Sequence, residues 1–512
     1  MLSDTMMLGG GRKAAYPIDN SLLFRGAQYL TRTPAVVGDR KTFTFSCWFR
    51  RGITGVQQML MAADNGAGTS RDFLDFSATD QLHFSIASGN DCSTEAVFRD
   101  TTAWYHVVLA VDTPQEEEED RVKLYVNGDL HVLSVANYPL QHTECFVTDV
   151  FMHKLGMHPT LSSNFLSGYL SEPILVDGTA LDPSYFGQID PVTGSWRPKA
   201  VSGVDFGPNG FYLGKPWNAA SLGTDASGRG NDWTPVGFAA SDVMGDSPTN
   251  VYATLNPLDQ NPSINVLTLS DGNLRCTWTN DDWAVASIWV TAGKWYWEWS
   301  CVSRPSYSQM PGITNRVSSI GRPVWSYNGF NGEIFNGSSY LGVSYGTWGA
   351  GDIIGMALDM DAGTLSWYKN GVLSTAISGL SGAYAPSVDG NDGVADLNFG
   401  QRPFAFTPPD GFQSLCTANL PATTGQTSGT FTGNANADGP CVFTGAVPET
   451  LSVNGNPVTW GTHADKLATG FKIRTASSAY NASGANSWVA TYDKKPTVGP
   501  KNRAPANAQG NP

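Results

Sequence analysis

Two stretches far apart in the chain carry one local pattern in different dress. Residues 104–128 read WYHVVLAVDTPQEEEEDRVKLYVNG, and residues 352–371 read DIIGMALDMDAGTLSWYKNG. Each is an apolar strand ending in aspartate, a polar turn, an aromatic-containing strand, then Asn-Gly. Asn127-Gly128 and Asn370-Gly371 can both adopt positive φ, which a two-residue type I′ hairpin requires. Two antiparallel meanders in series predict two β-sandwiches, and so an all-β chain.

Length and composition agree. A chain of 512 residues exceeds a single core, so several domains are expected. Only 15% of residues are charged, which leaves Ser, Thr, Asn and Gly to make the surface. The 56 glycines and 30 prolines suit a turn-rich β protein. The net charge of −14 argues against a nucleic-acid partner, since phosphate binding needs a basic field. No apolar run reaches transmembrane length, so no membrane insertion is expected. The opening MLSDTMMLGGGRK lacks the apolar stretch of a secretory signal. The seven cysteines are scattered without a CxxC pair, which reads as reduced thiols and not as a zinc site. Cys47 and Cys301 lie in apolar runs and are expected in the core.

Along the chain, residues 1–20 read as an N-terminal arm. In 21–200 strand signals are dense: TFTFSCWFRR alternates Phe43, Phe45 and Cys47 against Thr44, Ser46 and Trp48, and DQLHFSIAS places Leu82, Phe84 and Ile86 on one face. Residues 201–250 read as a linker region. Residues 251–415 form a second unit with alternating Trp295, Trp297 and Trp299. Residues 416–512 read as a small β-module with a basic, extended tail carrying Lys494, Lys495, Lys501 and Arg503.

Resemblance sharpens this. The strings SLLFRGAQYLTRTP, TFTFSCWFRRG, WYHVVLAVD, VKLYVNG and SGYLSEPILVDGTALDPSYFG resemble a LamG, concanavalin A-like module of the kind found in tail-associated proteins of bacteriophages. The strings GKWYWE, GDIIG, LSWYKNG, NFG and PPDGF, within residues 293–412, resemble a SPRY domain. The stretch after it resembles a small module that follows SPRY-like units in phage tail proteins. The resemblance implies two sandwiches in series, binding through loops, no enzymatic activity, and a place in a virion as part of a tail fibre or similar appendage. Other virion proteins and a host-surface glycan or receptor are the implied partners, and a homotrimer the implied assembly.

Catalytic patterns are missing where this fold would need them. A glycoside hydrolase requires two facing carboxylates. Glu298 stands alone in WYWEWS, and Glu116–Glu119 are consecutive in a turn, where no pair with split pKa values can form. Cofactors are not expected. Calcium is the one open metal, because LamG modules often carry it. Asp225, Asn231 and Asp232, or Asp389, Asn391, Asp392 and Asp396, supply hard oxygen ligands, and both stretches are equally good turns.

The candidate ligand-binding residues lie in VWSYNGFNGEIFNGSSYLGVSYGTWG. Trp325, Tyr327, Phe330, Phe335, Tyr340 and Trp348 stand there among Asn and Gly, with Tyr345 beside them. Aromatic faces stack on sugar C–H groups and Asn amides satisfy hydroxyls. The bland alternative is that half of these aromatics are core. The reading is a phage appendage protein attaching to host glycan without catalysis. A decoration or adaptor protein whose sandwiches are spacers is the alternative, and a polysaccharide depolymerase the third.

Overall fold

The structure, a computed structural model, describes residues 16–420 apart from 88, 159, 161, 191–193, 262–266, 305–307 and 316–321, and then the backbone of strands between 425 and 492. Residues 1–15 and 493–512, and with them most of the expected N-terminal arm and the basic tail, lie outside the described residues. No α-helix occurs among the described residues; strands are joined by turns and four single turns of 3-10 helix.

The first sandwich has two eight-stranded antiparallel sheets. One runs Asp129–Leu130, Val122–Val126, Tyr105–Asp112, Thr42–Arg51, Ser167–Asp177, Ser21–Arg25 and Val243–Met244, with Phe211–Tyr212 paired beside Ser167–Asp177. The other runs Leu133–Ala136, Asn90–Val97, Gln81–Ile86, Arg71–Phe76, Gln58–Asp64, Met152–Leu155, Tyr29–Arg32 and Thr234–Val236. Phe43, Phe45, Cys47 and Phe49 from the first sheet meet Leu74, Phe76, Leu82 and Phe84 from the second in one core. The alternation in TFTFSCWFRR is therefore real, but its second face is also buried. On the other face of the first sheet, Val108, Ile174, Val176 and Tyr212 pack with Leu181 and Phe186 in a further cluster.

The segment 201–250, expected as a linker, is woven into this sandwich. It supplies Phe211–Tyr212 and Val243–Met244 to one sheet and Thr234–Val236 to the other. Trp217 and Trp233 from it enter the core. A linker reading came from Gly, Asn and Asp density, which marks turns equally well when the turns are packed.

The second sandwich pairs a seven-stranded sheet with an eight-stranded one. The first runs Leu255–Gln260, Asp282–Ala286, Ala385–Gly390, Gln309–Thr314, Trp325–Tyr327, Glu333–Phe335 and Tyr340–Ser344. The second runs Leu267–Ser270, Arg275–Trp278, Gly393–Asn398, Lys294–Ser303, Ile353–Asp359, Thr364–Lys369 and Val372–Ser378. Trp295, Trp297 and Trp299 are all buried, and so is Tyr296 on the opposite face, packed edge-on against Phe404 at 5.0 Å.

Both opening meanders sit at the edge of their sheets. Asn127 and Gly128 have φ of 51° and 86°, and Asn370 and Gly371 have 51° and 80°, the left-handed pair of a type I′ turn. Each asparagine also pairs sideways with the first strand of its meander. His106 N donates to Asn127 Oδ1 at 2.8 Å, and Ile353 N donates to Asn370 Oδ1 at 2.8 Å.

The two sandwiches share a polar contact. Arg50 is fully buried, ion-paired with buried Asp246, and donates to Thr254 Oγ1 at 2.6 Å and Tyr252 O at 3.2 Å. Trp104 Nε1 donates to the other oxygen of Asp246 at 3.1 Å, and Tyr169 Oη donates to Gly272 O at 2.8 Å. A side chain at Gly272 would meet Tyr169 Oη at 2.4 Å, so glycine is required there. In the C-terminal stretch, described by itself, Gly425–Gly433 pairs with Gly484–Tyr492, which also pairs with Thr450–Val453.

Candidate binding face

The aromatic segment forms the last three strands of one SPRY sheet, Trp325–Tyr327, Glu333–Phe335 and Tyr340–Ser344. Its turns are built by asparagine. Asn328 Oδ1 accepts from Phe330 N, Asn331 Oδ1 from Glu333 N, and Asn336 Oδ1 from Ser338 N and Ser339 N. These are Asx turns, so the amide oxygens expected to meet sugar hydroxyls are already engaged by backbone. A Cβ at Gly332 would lie 2.5 Å from Ser344 Oγ, which keeps the first turn tight.

The six expected residues divide. Phe330 is 61% exposed and Tyr340 41% exposed; Trp325 and Phe335 are half-buried. Phe335 packs on Tyr340 with ring centroids 5.3 Å apart, and Asn328 Nδ2 donates to Tyr340 Oη at 2.6 Å. Phe335 and Tyr340 are paired across neighbouring strands and share one face, whereas Trp325 lies on the other face of its strand with Tyr327, because Ser326 is the residue opposite Phe335. Tyr327, at 0% exposure, and Trp348, at 2%, are enclosed. Trp348 lies between Tyr327 and Trp299 at 6.3 Å from each, and Tyr327 Oη donates to the carbonyls of Tyr345 and Gly346. They are core residues that hold the loop shut. Burial raises the Tyr327 hydroxyl above its ordinary range, in keeping with an interior donor.

Three exposed residues were missed or left at the margin: Leu341, Val343 and Tyr345. The strand that carries the first two is the sheet edge, and every one of its residues is exposed. Gly342, at φ 74° inside that strand, marks a bulge against Glu333–Phe335. A glycine interrupting YLGVS is the sequence signal that would have located it.

The acids considered for catalysis or calcium have other uses. Glu298 is buried and accepts from Ala405 N at 2.8 Å and Phe406 N at 2.9 Å, which fastens the covering segment over Tyr296. Glu116–Glu119 are exposed. Asp225 spends both oxygens on Tyr212 N, Ser227 and Asn231 N. Asn231 donates to the carbonyls of Pro208 and Gly210. Asp232 accepts from Asp225 N. In the second stretch the acids diverge: Asp396 makes a two-bond pair with Arg275 at 2.6 and 2.7 Å, and Asp389 is buried against Arg322 at 3.1 Å. Burial, with Asp281 and Asp282 nearby, pushes the Asp389 carboxyl up to about 8 although Arg322 opposes the shift. Among the described residues no group of three or more His, Cys, Asp or Glu is gathered around a common point.

Comparison with known proteins agrees with this architecture. Residues 24–172 match the family model of the concanavalin A-like lectin/glucanases superfamily, and residues 291–387 match the SPRY domain model. The chain thus contains a concanavalin A-like laminin-G domain followed by a SPRY domain. The E3 ubiquitin-protein ligase RKP of Arabidopsis thaliana is 31% identical over 144 residues, which are 26% of this chain and 11% of that protein. The chain therefore spans about a tenth of that relative's length. The SPRY domain of human HERC1 is 19% identical, covering 29% of this chain and 99% of that one with a TM-score of 0.25. Another human SPRY domain is 14% identical, covering 27% and 98% with a TM-score of 0.23.

Proposed function

We propose that this chain is a structural protein of a bacteriophage virion, in a tail fibre or similar appendage, that helps attach the particle to a host-surface glycan without catalysis. The observation that carries the reading is the exposed aromatic surface at the SPRY sheet edge, where Phe330 and Tyr340 stand clear of the core. Flat aromatic faces at an uncharged edge suit sugar rings, whose C–H groups stack on them. Individually weak contacts gain strength by repetition, so a homotrimeric fibre would multiply them. Glu298, Asp225 and Asp232 are engaged by backbone amides, and Asp389 and Asp396 by arginines, which supports binding over hydrolysis.

The test uses the whole chain on a glycan array and in a host-cell adsorption assay. Wild type is expected to bind, and Phe330→Ala with Tyr340→Ala to lose at least tenfold. Adsorption unchanged by the pair would remove this surface from the reading. Steady release of reducing ends from host polysaccharide would replace it with a depolymerase. Incorporation into particles without any adsorption role would leave the decoration or adaptor protein.

A further inference from the structure

At the opposite domain, one segment ends both sheets of the laminin-G sandwich. Asp129–Leu130 is the last strand of one sheet and Leu133–Ala136 the last of the other. Between them Val132 O accepts from Glu95 N at 2.9 Å, so the chain crosses the open side of the sandwich. The outer edge of Leu133–Ala136 has no strand partner among the described residues. The crossing and the chain after it carry exposed apolar side chains: Leu130 and Val132 (69%) at the crossing, Val135 on the strand, Leu140 (79%) four residues past its end, and Val97 on the paired strand. Exposed apolar groups along a free strand edge are what folded proteins normally avoid.

The rim of this stripe is acidic. Arg121 donates to the carbonyls of Gln115, Glu116 and Pro139, which brings the Glu116–Glu119 loop against the residues before Leu140. Glu95 and Asp129 are exposed on the other side. The local cations are spent: Lys123 pairs with Asp120 at 2.7 Å, and Arg121 faces backbone. Among the described residues none of Glu116 to Glu119 makes an ion pair.

We propose that this edge docks an extended segment of another protein in which lysine or arginine alternates with apolar residues. Such a strand sets its apolar side chains on Val132, Val135 and Leu140 and its cations against the glutamates. The free strand edge is short, so backbone pairing gives register and the side chains supply most of the affinity. A second copy is a poor occupant. A two-fold contact places each patch on itself, and here that sets carboxylates against carboxylates. The proposal does not depend on glycan attachment by the SPRY face.

The test uses the full chain and three immobilised peptides: an eight-residue Lys-Val alternation, a Lys-Ser alternation and a Glu-Val alternation. Binding is read by interferometry. Wild type is expected to hold the Lys-Val peptide at least tenfold tighter than either control. Replacing Glu116–Glu119 by glutamine, or Val132→Ser with Leu140→Ser, is expected to lower it at least tenfold. These positions are exposed, and an unchanged circular dichroism spectrum confirms that each variant is folded. Equal binding of Lys-Val and Lys-Ser peptides, or no loss in either variant, overturns the proposal. So does concentration-dependent self-association that Leu140→Ser abolishes, which would make the stripe a contact between copies.

Discussion

Asn127 and Asn370 act twice each. Their left-handed φ turns the hairpin, and their side chains extend the ladder of the neighbouring strand by one bond. Asn370 also donates to Asp352 Oδ1 at 2.7 Å. Asn370→Ala removes the acceptor of Ile353 N–H at the start of its strand and is expected to cost about 0.5–1.5 kcal/mol for the lost bond, read as a lower denaturant midpoint. Glu172 is a second informative residue. It sits in the bulged strand Ser167–Asp177 at φ 44°, with Tyr16 Oη donating to it at 2.7 Å. Burial pushes its carboxyl up to about 7, against tyrosine hydrogen bonds and Lys215 that favour the charge. The folded state therefore keeps a proton that the unfolded chain has lost. Its stabilising share is whole below about pH 4.5 and disappears as pH rises through about 7. Glu172→Gln is expected to flatten the fall in melting temperature across that window. Among the aromatics, Trp348→Ala opens a core cavity and is expected to cost about 3–5 kcal/mol, whereas Phe330→Ala leaves the melting temperature within a degree or two of wild type.

At the scale of strands, the sequence was informative where one face is wet and ambiguous where both are dry. The I′ turns were legible because Asn-Gly is among the few pairs that take two successive positive φ values cheaply. Thr42–Arg51 and Lys294–Ser303 were placed as strands by alternation. Yet nothing local announced that a later segment covers the second face, as 178–186, 201–212 and 400–412 do. The same ambiguity split the candidate site: Trp348 and Phe330 are both aromatics beside glycine, and only the fold decides which one turns inward. Arg50 belongs here too. It lies on the face of its strand shared by Thr44, Ser46 and Trp48, yet its charge is buried against Asp246. Arg50→Ala leaves that carboxylate unpaired in the interior and is expected to cost about 3–5 kcal/mol. Calorimetry of the full chain checks it: one coupled transition for the two sandwiches in wild type, two separated ones in the variant.

Across the molecule, the all-β class and the order of the two sandwiches were readable from turn chemistry and motif strings. The weave of 201–250 into the first sandwich was not, because its partners lie far away in the chain. The cysteines show a different economy. The six whose side chains are described are all free and buried. Burial raises the Cys47, Cys145 and Cys276 thiols and pushes Cys92 up to about 12 and Cys301 to about 11. These six are expected to stay silent towards Ellman's reagent until denaturant is added, which thiol titration would measure. A fold stapled by disulfides is committed to an oxidising place of assembly. This one has no such commitment, since none of these six sulfurs is bonded and all are buried. The two sandwiches can mature among reductants and serve among oxidants with every covalent bond unchanged.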